Sequence, residues 1–183
     1  MITEGIQIEK ARAIKGWMSS GELMWIASIA RESKRILEVG SYYGRSARCW
    51  ADNTPGTVLC VDPWQWDCIK DDGSFDWAVP EDCLHSFQES LKDHLESGKL
   101  NYVVGKFTDC FFTEPFDLIF IDGDHRLDNV IKDIEWAKKF LKPGGVLAGH
   151  DYGCVHWPMV KMAVDALIPN AKVSNTIWWT RIP

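Results

Sequence analysis

The stretch RILEVGSYYGRS, residues 35–46, decides the fold that we expect for this chain. Its first half is a short apolar run that predicts a buried strand, and its second half opens a helix over residues 44–52. Gly40 and Gly44 mark the tight turn between the two. In an open α/β sheet, ligands bind outside the carboxyl ends of such strands. This loop is therefore the first candidate binding site.

Short apolar runs alternate with helix-period segments along the rest of the chain, which is typical of an α/β protein with a mainly parallel sheet. A capping-box spacing from Ser19 to Glu22 predicts a helix before the first strand. Further strands are predicted at 57–62, 100–104, 116–121, 146–148 and 176–182, and further helices at 81–97, 130–141 and 160–167. We expect a three-layer sandwich, with a Rossmann-like, mostly parallel sheet of six to seven strands. No linker interrupts the pattern, so a single domain over residues 1–183 is predicted, with residues 1–33 as an N-terminal helical segment.

Composition and charge exclude several functional classes. Of the 183 residues 46% are apolar and 25% are charged, as in a globular protein. The formal net charge of −6 argues against a nucleic-acid binder, which needs a clustered basic face. No apolar run is long enough for a signal peptide or a bilayer span, so we expect no membrane partner. Six cysteines without a C-x-x-C spacing indicate reduced thiols, and the expected location is cytoplasmic.

Most of the net negative charge of the chain falls in one insertion, residues 63–82, whose local charge is −5. Four aromatic residues interleave with its acidic ones: Trp64, Trp66, Phe75 and Trp77. A loop of this length in a compact domain is usually functional or mobile. One interpretation is a flap over the cofactor or acceptor, with Trp17 closing the opposite side. The other is a solvated acidic loop with its tryptophans packed on the sheet edge. In both cases the acidity disfavours an anionic acceptor.

The loop after the first strand lacks the fingerprints of phosphate-binding sites. A dinucleotide site needs G-x-G-x-x-G, but counting from Gly40 its second and third glycines are Tyr42 and Arg45. This departure disfavours a nicotinamide-dependent oxidoreductase. Asp62 ends the second strand and can accept hydrogen bonds from both hydroxyls of a ribose. The arrangement suits a nucleoside without a pyrophosphate, of which S-adenosylmethionine is the common one. The alternative is that the glycines only shape the turn and Asp62 caps the next segment.

Five segments together resemble the class I S-adenosylmethionine-dependent methyltransferases: ILEVGSYYGRS, VDPW, FDLIFIDGDH, LKPGGVLAGHDY and TIWWTR. They follow the expected order over roughly residues 16–183 and are most similar to the small O-methyltransferases with an I-D-G-D-H segment. The resemblance implies S-adenosylmethionine as the cofactor and a small-molecule acceptor, expected to be a hydroxyl. Tyr42 departs from the family pattern, since many members have a glycine or small residue there.

The same resemblance implies a set of cofactor-binding residues: Glu38, Gly40, Ser41, Gly44, Asp62, Trp64, Phe107 and Asp122. By this resemblance, Glu38, Gly40 and Ser41 line the methionine side of the cofactor. Asp62 holds the ribose, and Trp64 or Phe107 covers the adenine.

Polar side chains follow the fourth and fifth predicted strands, in IDGDH and GHDY. If these strands are neighbours, Asp122, His150 and Asp151 converge and could hold a divalent metal ion. In the metal-dependent O-methyltransferases that the chain resembles, an Asp after strand four and an Asp-Asp or Asp-Asn pair after strand five do this. Here the pair is His150-Asp151, and an imidazole favours a borderline metal or none. A metal-free polar pocket is therefore the alternative.

His125 is the candidate general base. It opens the helix after the fourth strand, where a basic side chain in the resembling enzymes removes the substrate proton, and a histidine can accept a proton near neutral pH. Asp124 is the reserve base. The alternative is that His125 is only a polar residue at a helix N-terminus. A methyltransferase of an amine or protein acceptor, and a cofactor-binding module without catalysis, stay open as functions, and so does a homo-oligomeric state.

Overall fold

The computed structural model describes residues 5–65, 67–69, 75–78 and 81–183. Its strands are β1 (Arg35–Val39), β2 (Thr57–Asp62), β3 (Asp67–Ile69), β4 (Phe75–Ala78), β5 (Leu100–Val104), β6 (Phe116–Ile121), β7 (Leu141–Gly149), β8 (Lys172–Ser174) and β9 (Ile177–Arg181). Its α-helices are α1 (Glu9–Ala13), α2 (Ser20–Ala30), α3 (Arg45–Asn53), α4 (Cys83–Ser90), α5 (Lys92–Glu96), α6 (Leu127–Lys138) and α7 (Pro158–Leu167). No helix in these ranges is both long and apolar enough to cross a bilayer.

A seven-stranded sheet organises the chain, in the order β5-β2-β1-β6-β7-β9-β8. The first five strands of this order pair in parallel, whereas β9 is antiparallel to both β7 and β8. The order reverses next to β1, because β2 lies on one side of it and β6 on the other. The predicted α/β class and the mostly parallel sheet are confirmed.

Alternate residues of the strands pack on opposite faces of the sheet, since successive strand side chains point to opposite sides. Ile36 and Phe120 belong to the core that α1 to α5 cover, and Leu37 and Ile119 belong to the core under α6 and α7. All four are fully buried. The strands therefore carry continuous apolar runs, as expected for a sheet that is covered on both faces.

Several predicted element boundaries are wrong, each for a local reason. The helix expected over 81–97 is two helices, interrupted at the fully buried Leu91. The helix expected over 130–141 ends at Lys138, because the next residues join the sheet. The carbonyl of Phe140 accepts a hydrogen bond from the amide of Phe116 in β6, and Leu141, the first residue of β7, pairs with Phe116. The sequence analysis missed β8, a strand of three residues that pairs with β9.

Much of the insertion at 63–82 lies outside the described residues. The backbone of β3 and β4 is described, and the two strands pair antiparallel. The flap hypothesis and its alternative depend on Trp66 and on the side chains of Phe75 and Trp77, which the structure does not describe. Both interpretations stay predictions.

The carboxyl ends of three neighbouring strands meet at Gly40. Its amide donates to the carbonyl of Val61 in β2, at 2.9 Å, and the amide of Asp122 donates to Val39 in β1, at 2.8 Å. Gly40 has a φ of +82°, and a Cβ there would lie 2.1 Å from the carbonyl oxygen of Asp122. Only glycine meets both conditions without strain.

Gly40→Ala tests this constraint, with Gly144→Ala as a matched control. Gly144 has a φ of +78°, but a Cβ there would meet no atom within 4 Å. We expect the control to lower the free energy of unfolding by about 1 kcal/mol, the cost of a left-handed backbone. Gly40→Ala should lower it by more than about 3 kcal/mol, since the loops must also separate. Equal losses in urea denaturation would show that the close approach does not matter.

Candidate active site

A cavity of about 610 Å³ lies at the carboxyl ends of β1, β2, β6 and β7. Its size is within the usual range for a small-molecule site. The loops after these strands and the segment before α2 contribute its walls. Of the twelve residues that the sequence suggests for catalysis, cofactor binding or metal binding, seven line the cavity: Gly40, Ser41, Asp62, Asp122, His125, His150 and Asp151. The other five lie elsewhere: Glu38, Gly44, Trp64, Phe107 and Asp124.

Asp62 holds the loop that follows β1. One of its carboxylate oxygens accepts hydrogen bonds from the amides of Ser41 and Tyr42, at 2.8 and 3.0 Å. The other oxygen accepts from the amide of Trp64, at 2.7 Å. These contacts stabilise Tyr42 in its left-handed conformation, with a φ of +50°. The carboxylate therefore fixes the loop and also lines the cavity, and its contact with a ribose stays a prediction.

Glu38 lies below this loop and is fully buried. Its carboxylate accepts a hydrogen bond from the Ser41 hydroxyl, at 2.6 Å, and another from the indole of Trp50, at 3.0 Å. Burial raises the pKa of Glu38 to about 7, although the Ser41 hydrogen bond opposes the shift. An effect of Glu38 on a bound molecule would have to pass through Ser41, which does line the cavity.

Gly44, Trp64 and Phe107 take part in packing. Gly44 is the left-handed residue before α3, where a Cβ would approach Phe87 to 3.0 Å. The Trp64 indole donates to the carbonyl of Tyr42, at 2.8 Å, and its ring packs against Phe87. Phe107 is 3% exposed and lies in the core under α6 and α7. Neither residue is among those that line the cavity, and contact of either ring with an adenine stays a prediction.

The segment before α2 forms the wall opposite the strand ends. The Trp17 ring stacks on Tyr42, with centroids 5.0 Å apart, and both residues line the cavity. The guanidinium of Arg45, at the start of α3, donates to the carbonyls of Ile14 and Gly16, at 3.1 and 3.2 Å. Trp17 therefore lies at the cavity, and Tyr42 provides the ring on which it stacks; closure of the site opposite a flap stays a prediction.

His150 is enclosed by carboxylates and is only 8% exposed. Its Nδ1 lies 3.3 Å from Asp151 and 3.5 Å from Asp122, and its Nε2 lies 3.2 Å from Glu22. Burial by itself lowers the pKa of His150. The charges and hydrogen bonds of Asp122, Asp151 and Glu22 outweigh it and raise that pKa far above its ordinary value. The three carboxylates therefore favour the charged form of His150.

The sequence analysis missed the role of Glu22 in this cluster. The predicted capping box is present, since one Glu22 oxygen accepts from the amide and the hydroxyl of Ser19, at 2.7 and 2.8 Å. The second oxygen contacts His150 and the hydroxyl of Thr176. Burial raises the pKa of Glu22, but the hydrogen bonds of His150, Thr176 and Ser19 outweigh this and lower it well below its ordinary value. Glu22 and His150 are 128 residues apart, and no sequence pattern signals such a contact.

His125 reaches the same cluster from the loop after β6. Its Nε2 lies 2.8 Å from a carboxylate oxygen of Asp151. Its ring stacks on Trp157, with centroids 4.4 Å apart and an angle of 16° between the planes. These two contacts hold the imidazole at the cavity wall. Trp157, which the sequence analysis did not single out, precedes α7 and also lines the cavity.

Asp124 is in a different environment and is a poor candidate for a base. Its carboxylate accepts hydrogen bonds from the amide and guanidinium of Arg126 and from the amide of Asn129, at 2.8 Å. Burial raises the pKa of Asp124, but the hydrogen bonds of Arg126 outweigh it and hold that pKa below its ordinary value. A carboxylate that is stabilised in this way takes up a proton less readily. Asp124 also lies outside the cavity lining.

One group of three side chains in the described ranges has the spacing of a cation site. It comprises Asp122, His125 and Asp151, whose ligand atoms lie within 4.8 Å of one another. The set expected from the sequence contains His150 instead of His125. His150 contacts the same two carboxylates through Nδ1, at 3.5 and 3.3 Å.

A family model described as a methyltransferase domain matches residues 37–152, more than half of the chain. The chain belongs to this methyltransferase family. The matched residues contain the loop after β1, Asp62 and the loops after β6 and β7. Glu22, Trp157 and Thr176 of this methyltransferase lie outside them.

Solved structures similar to this methyltransferase include an O-methyltransferase from Bacillus cereus in complex with SAH, with a TM-score of 0.68 and 17% identity, covering 98% of this chain and 89% of that one. Another is the O-methyltransferase TomG from Streptomyces achromogenes in complex with SAM, with a TM-score of 0.65 and 17% identity, covering 99% and 89%. The N-methyltransferase NodS from Bradyrhizobium japonicum has a TM-score of 0.60 and 14% identity, covering 88% and 94%. At these identities the likeness shows the fold.

One sequence relative is uncharacterized protein R132 of Acanthamoeba polyphaga mimivirus. It is 33% identical over 60 residues, which are 32% of this chain and 27% of that protein. The match spans about a quarter of the length of that relative.

Glu38→Gln tests the buried carboxyl below the loop. Because the pKa of Glu38 is raised from 4.5 to about 7 on folding, the folded methyltransferase binds an extra proton between these values. Its stability therefore falls as the pH rises through this window. The variant lacks this dependence, so its unfolding free energy relative to the wild type should rise by about 3 kcal/mol across the window.

The measurement is urea denaturation of both proteins at a series of pH values. Glu89→Gln, at an exposed position of α4, is the control and should follow the wild type. A constant difference between Glu38→Gln and the wild type at all pH values would show that Glu38 is already ionised in the folded state.

Proposed function

We propose that this protein transfers a methyl group from S-adenosylmethionine to a hydroxyl of a small-molecule acceptor. One observation carries the proposal: a cavity at the reversal of strand order is lined by the loop after β1 and Asp62 on one side and by the His125–Asp151 pair on the other. Ligands of open α/β sheets bind at this reversal. The O-methyltransferases with a similar fold in complex with SAM and SAH support the same cofactor here.

The residues at the cavity fit a nucleoside better than a dinucleotide. Tyr42 and Arg45 stand where a dinucleotide loop needs glycines, and their side chains line the cavity. Asp62 presents a carboxylate at the end of β2, and the Trp17–Tyr42 stack provides an aromatic wall. In the proposed complex Gly40 and Ser41 line the methionine side and Asp62 contacts the ribose. When bound, S-adenosylmethionine supplies the electrophilic methyl group.

His125 and Asp151 form the proposed proton acceptor. An acceptor hydroxyl that hydrogen-bonds to this pair passes its proton to the imidazole of His125, and the carboxylate of Asp151 stabilises the imidazolium that forms. The stack on Trp157 keeps the ring from rotating away. The cavity walls hold the hydroxyl oxygen in line with the methyl group, and such positioning supplies much of the rate of a transfer reaction.

The charge of the cavity favours a hydroxyl over an amine as the acceptor. Glu22, Asp122 and Asp151 surround the far end of the site. An amine close to these carboxylates is stabilised as an ammonium, which has no lone pair to attack the methyl group. The likeness to the N-methyltransferase NodS concerns the fold and leaves this preference unchanged.

Calorimetric titration with S-adenosylhomocysteine tests the cofactor. We expect saturable binding at a stoichiometry of one per chain, because one cavity of about 610 Å³ is lined by Asp62 and the loop after β1. NADH, titrated in parallel, should not bind, since the loop after β1 lacks a pyrophosphate cradle. Binding of NADH without binding of S-adenosylhomocysteine would refute the proposed function.

His125→Ala tests the base. We expect turnover with hydroxylated acceptors, measured as release of S-adenosylhomocysteine, to fall by about 10²- to 10⁴-fold. Cofactor binding should stay at the wild-type level. His85→Ala, at an exposed position on α4 away from the cavity, is the matched control and should keep full turnover. Unchanged turnover in His125→Ala would remove His125 from the proposed mechanism.

A further inference from the structure

We propose that Lys15 and Arg45 form a cationic subsite in the wall of the cavity, and that this subsite binds the carboxylate of the amino-acid part of the cofactor. The inference rests on the proposed function, because it deepens the contact with S-adenosylmethionine. Lys15 belongs to the segment before α2 and Arg45 is the first residue of α3, and both line the cavity. Neither residue belongs to the cofactor-binding set expected from the sequence.

The first argument is that the charge of Arg45 has no carboxylate partner among the described residues. Its Nη1 donates to the backbone carbonyls of Ile14 and Gly16, at 3.1 and 3.2 Å, and its Nε is buried without a hydrogen-bond partner in the described part of the chain. Carbonyls are neutral acceptors, so the guanidinium keeps its positive charge. Arg48 in the same helix instead pairs with Asp52, at 2.9 Å. Arg45 is therefore available to an anionic group of a ligand.

The second argument is that Lys15 adds a charge to the same wall. Arg45 holds the carbonyls of the two residues that flank Lys15 in the chain, so the two cations lie close together. The ammonium of Lys15 lies 4.9 Å from the ring centroid of Tyr43, which also lines the cavity, and forms no ion pair with a described carboxylate. A cation–π contact attracts an ammonium without neutralising its charge. Both cations therefore favour an anion at this wall.

The third argument is that the cavity separates charges of opposite sign. The carboxylates in its lining come from other elements, since Asp62 ends β2 and Asp122 and Asp151 follow β6 and β7. The amino-acid part of S-adenosylmethionine is a zwitterion, with one carboxylate and one ammonium. A cavity with cations on one wall and carboxylates at the strand ends suits both groups, whereas a wholly acidic cavity would repel the carboxylate.

The place of Arg45 in the chain favours the cofactor over the acceptor as the source of the carboxylate. Arg45 ends the loop after β1, in which Gly40 and Ser41 line the methionine side of the proposed complex. The proposed base His125 follows β6 instead, and the acceptor hydroxyl is expected beside it. The methionine carboxylate is thus the anionic group expected near Arg45.

Calorimetric titration with two ligands tests the subsite on the full chain at low ionic strength, where screening is weak. One ligand is S-adenosylhomocysteine, and the other is its decarboxylated analogue, which keeps the adenosine and the amine. We expect the wild type to bind S-adenosylhomocysteine on the order of 10- to 100-fold more tightly, because only this ligand brings a carboxylate to the two cations. Equal affinities of the wild type for the two ligands would overturn the proposal.

Lys15→Met removes one charge and keeps an unbranched side chain on Tyr43. It should weaken the binding of S-adenosylhomocysteine by about tenfold and leave the affinity for the decarboxylated analogue unchanged. Arg45→Met should likewise narrow the gap between the two ligands, since a loss of packing alone affects both alike. Lys10→Met, at an exposed position of α1, has the same change in net charge and is the control, with wild-type affinity for both ligands.

The outcomes also separate this inference from the proposed function. An equal loss of affinity for both ligands in Lys15→Met and Arg45→Met, or no loss at all, would refute the carboxylate subsite and leave the proposed function in place. Binding of neither ligand to the wild type would refute the proposed function, and the subsite with it.

Discussion

The close approach of two backbones at Gly40 is the constraint on which the site depends. The loops after β1 and β6 meet there with no space for a Cβ, and their amides extend the hydrogen bonding of the parallel sheet beyond the strand ends. This contact brings Asp122 next to the loop after β1. Asp62 then fixes the loop from the other side. Its carboxylate accepts hydrogen bonds from the backbone amides of Ser41 and Tyr42 in the loop and of Trp64 after β2. The loop that forms the floor of the cavity is therefore fixed by backbone hydrogen bonds.

Carboxyl groups lie on both sides of this floor, one below it and three at the cavity. Glu38 lies below the loop, where burial raises its pKa to about 7 and its hydrogen bonds go to side chains of the core. Asp122, Asp151 and Glu22 lie at the cavity and enclose His150. Glu38 has only neutral donors around it, whereas Glu22 and Asp151 contact histidines that lower their pKa values; burial keeps the pKa of Asp122 raised although it faces His150. The same residue type therefore has opposite pKa shifts within one site, in line with the partner that each carboxyl meets.

Much of the fold could be predicted, because strands of a sheet that is covered on both faces need apolar side chains on both faces. Such strands appear in the sequence as continuous apolar runs, for example at 116–121. Element ends were harder, since they depend on pairing partners. Phe140 and Leu141 continue the helical period of α6, but they pair with Phe116 because the chain must enter β7 there. For the site, the residues that directly follow strands could be predicted. Glu22, Trp157 and Thr176 could not, because they reach the cavity from α2, the start of α7 and the turn before β9.

The sequence by itself determined the α/β class, the loop at Gly40 and the polar residues after β6 and β7, because strand periodicity and chain order are local properties. Through Tyr42 and Arg45 it also disfavoured a dinucleotide site. Only the tertiary structure decided the surroundings of His150, where three carboxylates from separate elements meet. The structure likewise distinguished His125 from Asp124 as candidate bases. His125 contacts Asp151 and Trp157 at the cavity, whereas Asp124 is held by Arg126 and Asn129. Proximity between distant residues, which sets these charges, follows from packing and has no local signature in the chain.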